Sequence, residues 1–370
     1  MKIPEFSRSA ANPFRSINRR SVLKGGAGLV AGAALSGLAP ERAAATGGYN
    51  IAYSNGFNGN AWRRQQTKAF ERAAQEMVKR GIFSKFSAVE GADNSAPAQL
   101  AAVSNMILEG NKGILINCTS GTQQNGVIEQ AVAAGAKVVT FDIYASSDRS
   151  HNLGFDFASW GKNNSDFVEK HLGGAGKAHG NVLIVNLAVA GTAGKLIRDE
   201  YQKFLDRNPG IKLVAEVEGR GTRSVAYRNV AQVVPGLPKI DAVLGGGGND
   251  CFGIVQAMLA SGYTMENMPP ICTAADGDYI QWWREARDKH GYAASGTGSD
   301  PESGAWAVYY LAKILEKDDN EPKEWYMPSI MINNDNLDSF ASLTGETVPV
   351  QVFNYDQIPE VFTQTKKLPG

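Results

Sequence analysis

Cysteine and histidine are scarce in this chain of 370 residues. Cys118, Cys251 and Cys272 form no C-x-x-C pair, and an odd number leaves at least one thiol without an intrachain partner. A framework stapled by disulfides is therefore excluded. Cys251 and Cys272 remain candidates for one bridge in an oxidising compartment, with buried free thiols as the blander alternative. His151, His171, His179 and His290 have no metal-ligand spacing, so no metal is expected. Phosphate loops of the form G-x-x-x-x-G-K-[ST], dinucleotide fingerprints of the form G-x-G-x-x-G and G-x-S-x-G elbows are all missing. No histidine stands beside a plausible nucleophile. The sequence thus argues against the common enzyme chemistries and for no cofactor.

Net charge is also lacking, with 37 basic against 37 acidic residues, but the balance is uneven along the chain. Residues 1–45 hold seven basic residues against Glu5 and Glu41. Arg19 and Arg20 open "RRSVLK", the run "GGAGLVAGAALSGLA" follows, and Ala43 and Ala45 fit a small-residue cleavage site. The run is shorter than the roughly 20 residues that cross a bilayer. This N-terminus resembles a twin-arginine (Tat) export signal, with Asn18 and Val22 departing from the usual pattern. It predicts removal of residues 1–45 and delivery to the periplasm. The remaining 30 basic and 35 acidic residues form no long basic run, so nucleic acid is not an expected partner.

From residue 49 onward, short apolar runs alternate with stretches of helical periodicity. "YNIAYS", "FSAVE", "GILIN" and "KVVTF" read as strands, with helices over about 61–80, 96–108 and 122–134 between them. The cycle resumes after residue 155 with "NVLIVN", "KLVAEV", "DAVLG" and "ICTAA". Such βαβα alternation predicts an α/β fold of two doubly wound parallel-sheet lobes joined by a hinge. "NLGFDF" (152–157) is the expected first crossing. Ligands in such sheets bind beyond the carboxyl ends of the strands. The segments there, "SNGFNGNAWRR", "NCTSGT", "DIYAS", "AVAGTAG", "EGRGTR", "GGGGND" and "ADGDY", are rich in Asn, Asp, Ser, Thr and Gly. They suit a neutral, hydroxyl-rich ligand better than an anion. Within "VLGGGGNDCFG" (243–253), the four glycines imply a close backbone approach, and Asn249 or Asp250 either caps the following helix or meets a ligand.

These loops resemble those of bacterial periplasmic substrate-binding proteins of the ribose-binding type, the receptors of ABC sugar importers. "IAYSNGFNGNAW", "VVTFD", "AGTAGKLIRDEYQKF", "AVLGGGGNDCFGIVQAMLASG" and "AADGDY" carry the likeness, over residues 49 to about 332. The resemblance implies the type I periplasmic binding protein fold. It implies ligand contacts from Asn60, Trp62, Asp142, Arg198, Asn249, Asp250 and Asp276, and Arg63 stands where the family has an aromatic; Gly247, within the glycine run, is expected at the cleft wall where backbone meets the ligand. Each has a structural alternative: helix capping for Asn60 and Asp276, core for Trp62, a turn for Asp142, a solvated face for Arg63 and Arg198. Ile143, Arg63, Gly221 and Gly298 depart from the ribose pattern, so a sugar or polyol is implied without specifying ribose. The implied partners are that ligand and the membrane permease of an ABC importer, and the implied state is a monomer. The expected organisation is a signal over 1–45, a first lobe over 46–155 with about 298–328, a second over 156–297 with about 329–345, and an extension over 346–370. A sugar sensor feeding a membrane receptor fits the same residues; an exported two-lobe enzyme fits them less well.

Overall fold

The computed structural model describes residues 47–91, 94–187, 191–317 and 322–369. The expected export signal lies outside these residues. Apolar β-rich runs form inner strands buried on both faces, as parallel sheets require, while the edge runs 83–90 and 210–218 are largely exposed. The strand β1 (Tyr49–Asn55) leads into α1 (Ala61–Lys79), and β2 (Phe83–Glu90) into α2 (Ala96–Leu108). Next come β3 (Gly113–Asn117), α3 (Asn125–Ala133), β4 (Lys137–Phe141) and β5 (His151–Gly154). β1 pairs in parallel with both β2 and β3, β3 with β4, and β4 with β5. The chain order therefore reverses at β1, whose carboxyl end opens a crevice.

The chain leaves this sheet after Gly154 and builds a second one. Its elements are α4 (Phe157–His171), β6 (His179–Asn186), α5 (Thr192–Arg207), β7 (Gly210–Glu218), α6 (Arg223–Val233), β8 (Ala242–Gly245), α7 (Cys251–Ala260), β9 (Ile271–Cys272) and α8 (Gly277–His290). The strand order is β7-β6-β8-β9, reversing at β6. Successive side chains of a strand face opposite ways. Accordingly Val182 and Ile184 pack with Ile197, Tyr201 and Phe204, while Leu183 and Val185 pack with Ile254, Val255 and Met258. Cys118, Cys251 and Cys272 are free and buried.

Beyond α8 the chain crosses between the lobes repeatedly. β10 (Ser295–Gly298) precedes α9 (Ser303–Lys317), which packs on α1, β3 and β4 of the first lobe. β11 (Glu324–Tyr326) pairs with β5, and β12 (Ile330–Asn333) then pairs antiparallel with β10. The C-terminal segment makes one more crossing. Its Gly345 and Thr347 carbonyls accept from the N–H groups of Asp278 and Gly277 in the second lobe. Val348 exchanges hydrogen bonds with the Gln65 side chain on α1, at 3.0 and 3.4 Å. The Asp300 carboxylate, between β10 and α9, accepts from the Gln351 N–H at 2.6 Å. Phe353 then meets Trp306, and β13 (Thr363–Gln364) joins β11 at the edge of the first sheet. The strands β5, β10, β11, β12 and β13 are not among those expected from the sequence. Each is short, and "SGTG" in β10 has no apolar periodicity at all.

Ile358 is fully buried and anchors the C-terminal segment, whereas Val352 is 70% exposed. Ile358→Ala is expected to lower unfolding stability by about 2–5 kcal/mol, and Val352→Ala by no more than about 0.5 kcal/mol. Urea titration of both variants checks this. Equal effects would show that the segment contributes nothing to the folded core.

Candidate ligand-binding cleft

The carboxyl ends of both sheets converge on a cavity of about 310 Å³. This is at the small end of the range for small-molecule sites. Asn60, Trp62 and Arg63 follow β1, Thr119 follows β3, and Asp142 and Ile143 follow β4. Leu187 follows β6, Arg220 and Thr222 follow β7, and Gly248 follows β8. Phe157, Trp160 and Ser299 line it from the crossings.

Asp142 takes a left-handed φ of 60°, a conformation Asp tolerates better than most residues. The turn sets its carboxylate beside the first turn of α1, where Arg63 Nη1 lies 2.9 Å from Oδ2. Asn117 Nδ2 donates to the same oxygen at 3.1 Å. Asn117 Nδ2 also donates to Gln66 Oε1 at 2.8 Å, and Gln66 Nε2 to Ser303 Oγ at 3.0 Å. Burial raises the Asp142 carboxyl above its usual range, opposed by the Arg63 charge and the Ile143 N–H. The Arg63 guanidinium in turn sits 5.1 Å from the centroid of the Trp62 ring.

Two residues at the start of α1 also reach the opposite lobe. Asn60 caps the helix, accepting from the Arg63 N–H at 2.9 Å, and donates through Nδ2 to the Gly221 carbonyl at 3.1 Å. The Trp62 N–H donates to Asn249 Oδ1 at 3.1 Å, and its Nε1 to the Ser299 carbonyl at 3.0 Å. Asn249 Nδ2 donates onward to the Glu346 carbonyl at 2.8 Å. Helix capping and inter-lobe bridging therefore coexist in Asn60, and Asn249 bridges the lobes without lining the cavity.

Three of the expected residues stand away from the cavity wall. Arg198 is not at the cavity: it forms a two-pronged pair with Glu216 of β7, at 3.0 and 2.9 Å. Ala193 of the same helix lines the cavity. Five residues further on, a helix has turned by roughly 140° beyond a full turn, which carries Arg198 to another face. Asp276 caps α8 by accepting from the Tyr279 N–H at 3.0 Å and pairs with Arg223 at 2.9 Å. Asp250 accepts from the Gly247 N–H and from Thr273 Oγ1, both at 3.1 Å, and does not line the cavity either.

The four glycines answer mainly to the protein itself. Gly247 has φ 100°, and a Cβ there would lie 2.2 Å from the Trp160 ring. Gly248 has φ 70° and would place a Cβ 2.7 Å from Gly221 Cα. Only Gly248 of the four lines the cavity. A valine at position 247 would therefore strain the folded protein, whatever it did to a ligand.

Arg220, Thr222, Trp160, Phe157 and Ser299 also line the cavity and are not among the residues expected there. Arg220 and Thr222 lie within the flagged segment "EGRGTR". Trp160 had no local signal, because only the return of the chain under the cleft places it there. Among the described residues, no group of three His, Cys, Asp or Glu side chains is disposed to hold a metal.

Burial pushes the Asp250 carboxyl up to about 7, against the hydrogen bonds from Thr273 and Gly247, and nearby Asp276 adds to the rise. An unfolded Asp releases its proton near about pH 4. The folded state thus holds a proton that the unfolded chain has lost. This contribution to stability is full below about pH 4 and disappears as the pH rises to about 7. Asp250→Asn is expected to flatten the fall of Tm over that window, read by circular dichroism. An unchanged slope would mean that Asp250 is ionised throughout.

The family described as "periplasmic binding protein domain" matches residues 51–319. A comparison with curated protein sequences finds no match. Among solved structures, an ABC transporter solute-binding protein from Thermobispora bispora DSM 43833 is 29% identical with a TM-score of 0.76, covering 84% of this chain and 94% of that one. An ABC transporter solute-binding protein from Bacillus halodurans C-125 with bound myo-inositol is 18% identical with a TM-score of 0.69, covering 80% and 98%. One from Burkholderia graminis C4D1M in complex with D-arabinose is 16% identical with a TM-score of 0.67, also covering 80% and 98%. The last two likenesses concern the fold alone. The family match runs through both parallel sheets and the loops that form the cleft, and the chain belongs to the periplasmic binding protein domain family.

Proposed function

We propose that this chain is the substrate-binding component of an ABC importer and that its lobes close on a sugar or polyol without turning it over. The observation that carries this reading is the buried Arg63–Asp142 pair in the wall of a cavity between two lobes. Arg63 and Asn117 both meet Asp142 at Oδ2, the Ile143 N–H also bonds the carboxylate, and we assign a remaining lone pair on Oδ1 to a ligand hydroxyl, since charged acceptors form the stronger hydrogen bonds. Asn60 and Trp62 join the same wall, the indole offering an apolar face to ring C–H groups. The ligands named for the B. halodurans and B. graminis proteins, a cyclitol and a pentose, support this class. Asn249 and Asp250 act at one remove, Asn249 by holding the lobes together and Asp250 by fixing the glycine turn. A membrane permease is the partner, and the binding protein acts as a monomer.

A thermal-shift screen of sugars and polyols identifies the ligand, because binding to the native state raises Tm by mass action. Asp142→Ala is then expected to weaken binding about 10–100-fold in calorimetric titration, the loss of one or two hydrogen bonds to a charged group. If nucleotides or amino acids raise Tm while sugars and polyols do not, the substrate class is wrong.

The same reading makes the protein a periplasmic one, exported through the twin-arginine motif at Arg19 and Arg20. Replacing both by Lys is expected to leave uncleaved precursor in the cytoplasm on fractionation. Unaltered export of the double variant would assign delivery to another route.

A further inference from the structure

The polar side chains of the cavity wall are unevenly shared between the lobes. The first lobe offers Asn60, Arg63, Thr119 and Asp142 alongside the apolar Phe57, Trp62 and Ile143. The second lobe offers Leu187, Ala193 and Val225, with Arg220 and Thr222 as its polar side chains. Thr222 Oγ1 donates to the Arg220 carbonyl at 3.2 Å. The Arg220 guanidinium pairs with Glu218 at 2.7 Å. The residues that would otherwise present polar groups from this lobe are turned to other tasks: Arg198 to Glu216, Asp250 to Thr273 and Gly247, Asp276 to Arg223. Phe157 and Trp160 continue the apolar surface across the base.

A ligand with hydroxyls on every side would leave some of them buried against this wall without partners, which is unfavourable. A ligand with one apolar edge avoids that and gains from burying it. We propose that the physiological ligand is a sugar or polyol bearing a small apolar substituent, such as a deoxy position, an O-methyl ether or a short alkyl glycoside. Its hydroxyl edge faces Arg63 and Asp142, and its apolar edge faces Leu187, Ala193 and Val225. The inference rests on the cleft being a sugar or polyol site. The small cavity volume limits the substituent to a short one.

Matched pairs test it by calorimetric titration of the full-length protein: D-galactose against its 6-deoxy form, myo-inositol against a mono-O-methyl ether, D-arabinose against its methyl and propyl glycosides. In at least one series the substituted member is expected to bind more tightly, by about fourfold per buried methylene. Val225→Thr and Ala193→Ser, which add a hydroxyl with little change in shape, are expected to reduce that preference at least threefold. Parents that bind as tightly as their derivatives in every series would overturn the inference and leave the sugar-binding reading intact. A preference that survives both substitutions would overturn the assignment of the apolar edge to this wall. If neither parents nor derivatives bind, the sugar-binding reading itself fails, and this inference with it.

Discussion

The pairing of Arg63 with Asp142 is the interaction on which the arrangement of the cleft depends. A carboxylate removed from water is unstable unless a charge or several donors meet it. Asp142 is 4% exposed and meets Arg63, Asn117 and the Ile143 N–H. Satisfying it ties two strand ends, those of β3 and β4, to the first turn of α1. Gln66, bonded to Tyr53 and Asn117, extends the tie to β1 and β3, and Ser303 extends it to α9. The left-handed turn at Asp142 persists because the surrounding bonds over-determine it.

From that fixed first turn, α1 reaches across the cleft. The Asn60 amide and the Trp62 N–H are both held by second-lobe acceptors. The loop carrying Asn249 is shaped by Gly247 and Gly248, which let it pass against Trp160 and Gly221. The C-terminal segment adds a further bridge, from the α8 N-terminus to Gln65 and Asp300. Movement of the lobes, the usual action of this fold, must therefore stretch or release this segment as well as the hinge crossings.

The apolar strands and the helices are legible because their signals are local. "GILIN" and "KVVTF" are short apolar runs, and the α1 stretch repeats apolar residues at helical spacing. The parallel sheets followed from alternation alone, and so did the rule that the informative residues follow the strands. Asn60, Trp62, Arg63 and Asp142 were found on that rule together with family likeness, and all four line the cavity. The short edge strands carry no such signal. β13 is two residues long and exists because β11 offers an unpaired edge.

What the sequence determined by itself was therefore the layered α/β architecture and the loops that meet at the strand ends, since periodicity, capping and turn chemistry act within a few residues. Which polar side chains remain for a ligand was set instead by contacts between distant parts of the chain. Arg198 pairs with a residue 18 positions away, Arg223 with Asp276 53 positions away, and Asn249 with the backbone of Trp62 187 positions away. A side chain's hydrogen-bonding capacity is written in its chemistry, but whether that capacity is already spent depends on partners that folding alone brings near.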